Sequence, residues 1–98
     1  VNLVGGVKNS TLSHFHFRNT GDDCMAMWSQ NTANDNNRFS FNTAQLPIIA
    51  NGIAIYGGKD NKAFHNIISD TITSSAGIAI STRAGFPGTM VLFSGTTE

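Results

Sequence analysis

Short runs in which apolar side chains alternate with small or polar ones recur along the chain. The run Gly-Ile-Ala-Ile occupies residues 52–55 and again residues 77–80, and the related run Cys-Met-Ala-Met occupies residues 24–27. Successive copies are spaced by 28 and 25 residues. Because neighbouring side chains of a strand point to opposite faces, this period of two predicts short β-strands with one buried face. No segment carries a 3.6-residue apolar period long enough to predict a helix.

An asparagine-rich block repeats with almost the same spacing. Residues 36–42 align with residues 61–67 at an offset of 25, and residues 9–15 provide an earlier copy. The chain therefore contains about three and a half units of a 25- to 28-residue repeat. One such unit cannot bury its apolar side alone, whereas stacked units share a continuous core. Asparagine suits the left-handed backbone of tight turns, and the matching turn positions are expected to be Asn9, Asn36 and Asn61.

The repeat predicts an all-β fold, a right-handed single-stranded parallel β-helix of about three and a half coils of 25–28 residues. The interior face is expected to hold the apolar residues Met25, Met27, Ile53, Ile55, Ile78 and Ile80. The exterior face is expected to carry two files, Ala26, Ala54 and Ala79 in one and Trp28, Tyr56 and Ser81 in the next. Neither terminus resembles a charged or helical cap, so we expect residues 1–98 to be a fragment of one larger β-helix domain without its end caps.

The composition argues against several classes of partner. Six basic side chains balance six acidic ones, so the chain offers no field for a nucleic-acid backbone or an anionic membrane surface. No apolar run approaches the roughly 18 residues of a membrane-spanning helix. The single cysteine, Cys24, cannot form an internal disulfide or a cysteine-based zinc site. His14 and His16 lack an aligned third ligand, and no metal site is predicted. His65 is expected to lie over Ser13 instead.

The residues best suited to chemistry are the adjacent carboxylates Asp22 and Asp23, which follow Gly21 and open the strand that carries Trp28. Hydrolysis of a glycosidic bond uses one protonated carboxyl as general acid and one ionised carboxylate as base or nucleophile. Strict strand alternation would turn only one of the two outward, so both reach one cleft only if the turn at Gly21 bends the chain. From spacing alone, the pair is equally consistent with turn residues at the start of a strand.

The motif Gly-Asp-Asp-Cys-x-Ala-x-x-Ser at residues 21–29 resembles the polygalacturonases, pectin-degrading enzymes of the pectin-lyase-like β-helix fold. Longer stretches are more similar to the α-1,3-glucanases and mycodextranases of glycoside hydrolase family eighty-seven, namely NTGDDCMAMWS at 19–29, NTAQLP at 42–47 and ANGIAIYGG at 50–58. This second resemblance covers nearly the whole chain. It implies a secreted hydrolase that cleaves α-1,3-glucosidic bonds in a neutral α-glucan, needs no cofactor and is monomeric at full length.

Charged residues separate these two families. The polygalacturonase pattern has cations at the positions of Trp28, Ala79 and Ser81, and a histidine at the position of Asn51. Because these cations are missing, a uronate-binding site is not expected. A neutral sugar offers an apolar C–H face that an aromatic ring can cover, so Trp28 and Tyr56 are predicted to line the substrate groove. Packing beneath a loop is the alternative role for both rings.

The resemblance to family eighty-seven assigns roles to individual residues. It implies that Asp22 is the general acid and that Asp23 belongs to the base that activates water, with inversion at the anomeric carbon. Further contacts with sugar hydroxyls are expected from residues bordering the groove, Asn51, Gln45 and Arg83. The family pattern has another carboxylate, which would fall at or before Val1. These 98 residues alone are therefore expected to hold an incomplete site within a larger catalytic β-helix.

Other functions remain open on the sequence. A non-catalytic carbohydrate-binding β-helix would keep Trp28 and Tyr56 but tolerate loss of the carboxylates. A polygalacturonase-like pectinase is a second alternative. A purely structural β-solenoid would have even coils and no acidic pair, and both the longer first repeat and the Gly-Asp-Asp turn argue against it.

Overall fold

The computed structural model describes residues 1–45, 47–70, 76–82 and 93–98, and these residues form twelve short strands. Among them no helix is long and apolar enough to span a membrane. The strands are β1 (Asn2–Val4), β2 (Thr11–Ser13), β3 (His16–Arg18), β4 (Met25–Trp28), β5 (Arg38–Ser40), β6 (Thr43–Gln45), β7 (Ile53–Tyr56), β8 (Gly58–Lys59), β9 (Lys62–Phe64), β10 (Ile67–Ser69), β11 (Ile78–Ser81) and β12 (Phe93–Ser94).

Strands from successive coils pair side by side, always in parallel. The largest sheet has the order β1-β4-β7-β11, two three-stranded sheets have the orders β2-β5-β9 and β3-β6-β10, and β8 pairs with β12. In the large sheet Met25 is in register with Ile53, and Ile53 with Ile78, which confirms the predicted spacings of 28 and 25 residues. The predicted all-β parallel β-helix is thereby confirmed.

The core is an apolar row that runs through the stacked coils. In the described part of the chain its fully buried members are Cys24, Met25, Met27, Phe39, Ala44, Ile53 and Ile55. Burial of each large side chain in this row stabilises the fold by ~1.5–3 kcal/mol. Ile78 and Ile80, also predicted to lie inside, are 55% and 54% exposed, so that prediction is wrong for the described structure. Both are in register with the core row, but among the described strands β11 is the outermost of its sheet and has core neighbours on one side only.

The asparagine-rich block has a different register from the predicted one. Arg38 pairs with Lys62, an offset of 24 rather than 25 residues. The left-handed turn position is therefore occupied by Asn9, Asn36 and Asp60, with φ of 52°, 56° and 51°. The prediction that Asn61 takes this position is wrong, because Asn61 lies one residue further along and its side chain is fully buried.

Buried asparagines next to these turns link each coil to the next. Asn37 donates from Nδ2 to the Val7 carbonyl at 2.8 Å and to Asn61 Oδ1 at 3.1 Å. Asn42 and Asn66 form an equivalent pair at the following corner, with Nδ2 and Oδ1 3.1 Å apart. Such bonds supply additional partners to backbone groups near the turns, at ~1 kcal/mol net for each bond.

Candidate active site

A cavity of about 480 Å³ lies against the outer face of the large sheet. Its walls are formed by Val1, Asn2, Asp22, Asp23, Ala26, Trp28, Ile49, Ala50 and Tyr56. This volume falls within the range of sites that bind small molecules or segments of a polymer. The structure therefore brings both predicted catalytic carboxylates and both predicted sugar-binding rings to one cavity.

Asp22 and Asp23 both reach the cavity because they precede the strand and do not follow its alternation. Asn19 has a left-handed backbone with φ of 56°, and β4 begins only at Met25. Gly21, expected to provide the bend, is not in the left-handed region. The Asp23 N–H donates to Asp22 Oδ1 at 2.7 Å, so the exposed Asp22 side chain is tied to the backbone of its neighbour.

Asp23 is half-buried and is held from the next coil by Asn51. The Asn51 backbone N–H and its Nδ2 both donate to Asp23 Oδ1, at 2.7 and 2.9 Å. Asn51 Nδ2 also donates to the Tyr56 hydroxyl at 3.3 Å. One amide therefore connects a predicted catalytic carboxylate to a predicted sugar-binding ring.

The two aromatic rings occupy the exterior file that the repeat predicts. Trp28 is in register with Tyr56, their ring centroids are 6.4 Å apart, and their planes meet at 69°. Both rings pack with Ala26 and Ala54, in a cluster separate from the interior core. Of the two alanines Ala26 lines the cavity, and its short side chain leaves space for a ligand beside the rings.

The two aspartates bring negative charge to the cavity. Asp22 and Asp23 are the charged side chains among the described residues that line it, and no lysine or arginine of the described chain joins them. A uronate substrate would call for a cation to balance its carboxylate. A neutral sugar needs a few polar groups and an apolar surface, which matches this lining.

The remaining predicted substrate contacts lie elsewhere. Gln45 is in β6 of a neighbouring sheet and is not among the cavity-lining residues; its Oε1 is hydrogen-bonded to His16 Nε2 at 2.8 Å. Arg83 lies outside the described residues, so its contact with substrate stays a prediction. Asn51 does not line the cavity and instead supports Asp23 and Tyr56, which do.

Two of the three histidines, His14 and His65, are in aromatic stacks. His14 stacks on Phe41 with ring centroids 5.5 Å apart, and Phe41 stacks on His65 at 5.1 Å. His65 therefore aligns with His14, and the predicted alignment with Ser13 is wrong because this block has the 24-residue offset. His16 lies in β3, on another sheet. Within the ranges that the structure describes, no group of three or more His, Cys, Asp or Glu side chains could hold a metal ion.

Four residues of the cavity wall were not predicted, namely Val1, Asn2, Ile49 and Ala50. Asn2 is in register with Ala26, so extending the repeat to the first residues of the chain would have placed it in the exterior file. Ile49 is 59% exposed, and Ala50 has a left-handed φ of 68°, both on the loop ahead of Asn51. This loop follows no apolar period, so the hydrophobic pattern marks neither residue, although Ala50 begins the block ANGIAIYGG that carries the family resemblance.

Comparisons with known proteins extend these observations. Residues 1–97 match the family described as α-1,3-glucanase catalytic domain D2. The structure is similar to the crystal structure of the catalytic unit of a thermostable GH87 α-1,3-glucanase from Streptomyces thermodiastaticus, with a TM-score of 0.92 and 45% sequence identity. That match covers 98% of this chain and 18% of the other, so this chain spans less than a fifth of the matched protein. No curated protein matches the chain in sequence.

Proposed function

Because the chain belongs to the α-1,3-glucanase catalytic domain family, we propose that it forms part of a glycoside hydrolase that cleaves α-1,3-glucosidic bonds in a neutral α-glucan. The observation that carries this proposal is the single cavity in which Asp22 and Asp23 lie beside Trp28 and Tyr56. The matched catalytic unit is much longer than this chain, which supports residues 1–98 being part of one larger β-helix catalytic domain. An extended polysaccharide does not enter cells, so we place the enzyme outside the cell.

The hydrogen bonds of the two carboxylates favour different roles for them. Asp23 Oδ1 accepts two N–H bonds from Asn51, which occupy both of its lone pairs, so this oxygen cannot carry a proton. The other oxygen, Oδ2, is left to accept a proton from water. Asp22 is exposed and its Oδ1 accepts one N–H bond, and we assign to it the role of general acid at the glycosidic oxygen.

These roles define an inverting hydrolysis. Asp22 protonates the leaving oxygen as the bond between that oxygen and the anomeric carbon breaks. Water attacks the anomeric carbon from the opposite face and gives its proton to Asp23, so that the product has inverted configuration. After hydrolysis Asp22 is ionised and Asp23 is protonated, and proton exchange with bulk water then returns both carboxyls to their starting states.

The rest of the cavity supports a neutral substrate. The Trp28 ring, half-buried and edge-on to Tyr56, offers an apolar surface for the C–H face of a glucose unit. Asn2 adds an exposed amide on the same wall, which can hydrogen-bond to sugar hydroxyls.

The test compares hydrolysis of α-1,3-glucan and of polygalacturonate by the intact protein, measured as new reducing ends. Asp22→Asn and Asp23→Asn are each expected to lower the rate on α-1,3-glucan by ~10²–10⁴-fold. The matched control is Asp70→Asn, because Asp70 is exposed in a left-handed turn that asparagine also accepts, and its rate should be unchanged. The anomer first released, identified by NMR, should be inverted.

Three outcomes would contradict the proposal in different ways. Binding of α-1,3-glucan without any cleavage by the wild type would indicate a carbohydrate-binding β-helix. Cleavage of polygalacturonate in preference to α-1,3-glucan would indicate a pectinase. Full activity of both aspartate variants would place the chemistry outside the cavity described above.

A further inference from the structure

The side chain of Asn51 connects three successive coils of the β-helix. Toward the preceding coil, its backbone N–H and Nδ2 donate to Asp23 Oδ1, and its carbonyl accepts the Cys24 N–H at 3.0 Å. Within its own coil, Nδ2 donates to the Tyr56 hydroxyl at 3.3 Å. Toward the following coil, Oδ1 accepts the Ala76 N–H at 2.9 Å.

These partners determine the orientation of the Asn51 amide. The reversed amide would place Oδ1 against the Asp23 carboxylate and Nδ2 against the Ala76 N–H, which are both unfavourable contacts. In the observed orientation both Nδ2 hydrogens are donated to protein acceptors. No donor of this side chain remains for a sugar hydroxyl.

We propose that Asn51 is a positioning residue, which fixes the Asp23 carboxylate and the Tyr56 hydroxyl relative to each other, and not a sugar-binding residue. This proposal rests on the proposed function, in which Asp23 activates water. Two bonds to Oδ1 prevent rotation of the carboxylate, so Oδ2 keeps one direction toward the attacking water. Holding a reacting group in its productive direction is a large part of catalysis, and small misplacements cost ~10²-fold in rate.

The backbone ahead of Asn51 supports this role. Ala50 lines the cavity and has a left-handed φ of 68°, a conformation that is costly for a residue other than glycine or asparagine. Ala50 immediately precedes Asn51, whose backbone N–H donates to Asp23 Oδ1. A strained residue beside a functional group is retained when the surrounding structure uses the geometry it provides.

The decisive variant is Asn51→Asp, which keeps the shape of the side chain and the acceptor for the Ala76 N–H but loses both Nδ2 donors. Asn51→Ala loses the acceptor as well. The matched control is Asn36→Asp, because exposed Asn36 also donates from Nδ2 to a neighbouring coil, at 2.8 Å to Asn9 Oδ1, and does not line the cavity. All variants are made in the intact protein and assayed on soluble α-1,3-linked gluco-oligosaccharides.

Asn51→Asp is expected to lower kcat by about 10²-fold and to leave KM within about threefold of the wild type. Asn51→Ala should lower kcat by a similar factor, and Asn36→Asp should leave both constants unchanged. A rise in KM at constant kcat would overturn the proposal in favour of direct sugar binding. Full activity of Asn51→Asp would overturn the proposal too. The function of Asn51 would then be only to accept the Ala76 N–H, which aspartate can also do.

A crystal structure of the Asn51→Asp protein separates this proposal from the proposed function. The Asp23 carboxylate is expected to rotate away from its position in the wild type, whatever the substrate of the enzyme is. An unmoved carboxylate would overturn the positioning role. A wild type that does not cleave α-1,3-glucan, together with a rotated Asp23 in the variant, would overturn the proposed function and keep Asn51 as the residue that orients Asp23.

Discussion

Trp28 and Tyr56 are direct neighbours on adjacent strands, and their rings meet edge to face with centroids 6.4 Å apart. Tyr56 is 6% exposed and Trp28 is half-buried, so Trp28 presents the larger ring surface to the cavity. The buried tyrosine therefore supports the tryptophan from the side, and the tryptophan is the ring expected to carry most of the contact with a sugar.

Trp28→Ala is expected to raise KM for α-1,3-gluco-oligosaccharides by about 10- to 100-fold, with a change in kcat of less than about threefold. The reason is the loss of ~1.5–3 kcal/mol of apolar contact made equally in the ground and transition states. Trp28→Phe keeps a ring and should retain most of the affinity. An unchanged KM in a folded Trp28→Ala protein would show that the ring serves packing alone.

Asn37→Ala is expected to destabilise the fold by ~2–5 kcal/mol, measured by urea denaturation. Asn37 is fully buried; its Oδ1 accepts the Ser10 N–H at 3.0 Å, and its Nδ2 donates to the Val7 carbonyl at 2.8 Å. Truncation leaves the Ser10 N–H without its partner, at ~1–3 kcal/mol. It also removes one of two donors to the Val7 carbonyl, which keeps the Asp35 N–H at 2.9 Å, at ~1 kcal/mol. The control is Asn36→Ala at the neighbouring exposed position. Strain of alanine in the left-handed turn destabilises this variant, and the loss beyond that strain should be less than ~1 kcal/mol. Equal losses at both positions would contradict the assignment of Asn37 as the coil-linking residue.

The sequence predicted the large sheet in register because Met25 and Ile53 belong to runs with the same inward and outward pattern. In the asparagine-rich block the predicted register was wrong by one residue. Asn36 and Asn37 are adjacent, and both suit a turn, but one takes the left-handed turn and the other a buried position. The difference depends on which backbone groups face each side chain, and this information exists only after the coils are stacked.

In the candidate site too, some residues could be predicted from the sequence and others could not. The acidic pair and Trp28 could be recognised because their residue types are unusual in a chain that is otherwise poor in charge and rich in small polar residues. The role of Asn51 could not be recognised. Its contact with Asp23 joins residues 28 positions apart, and the exact length of the coil between them decides whether the two side chains meet. The position of Ile49 in the cavity wall could not be predicted either, because Ile49 lies in a loop without a periodic pattern.

Gly58→Ala and Gly21→Ala are expected to differ strongly in their effect on stability. A Cβ at Gly58 would lie 2.5 Å from Ser29 Oγ and 2.7 Å from the Asn34 carbonyl oxygen, and φ there is 101°. This substitution should therefore cost ~3 kcal/mol or more. A Cβ at Gly21 meets nothing within 4 Å and its φ is not left-handed, so Gly21→Ala should change stability by less than ~1 kcal/mol. Urea denaturation of the two variants measures both values, and a stable Gly58→Ala protein would contradict the close packing of this turn.

Phe41→Ala is expected to lower stability by ~1–2 kcal/mol and to leave hydrolysis of α-1,3-glucan within about twofold of the wild type. The Phe41 ring is 53% exposed but lies between His14 and His65, with centroid distances of 5.5 and 5.1 Å, so its removal breaks two stacked contacts. Activity should persist because Phe41 is not among the residues lining the cavity. The matched control is Phe15→Ala, since Phe15 is 52% exposed and stacks on Phe17 at 6.0 Å, and its loss should be about half as large. If urea denaturation gives the same loss for both variants, the aromatic stack adds nothing beyond the burial of a single ring.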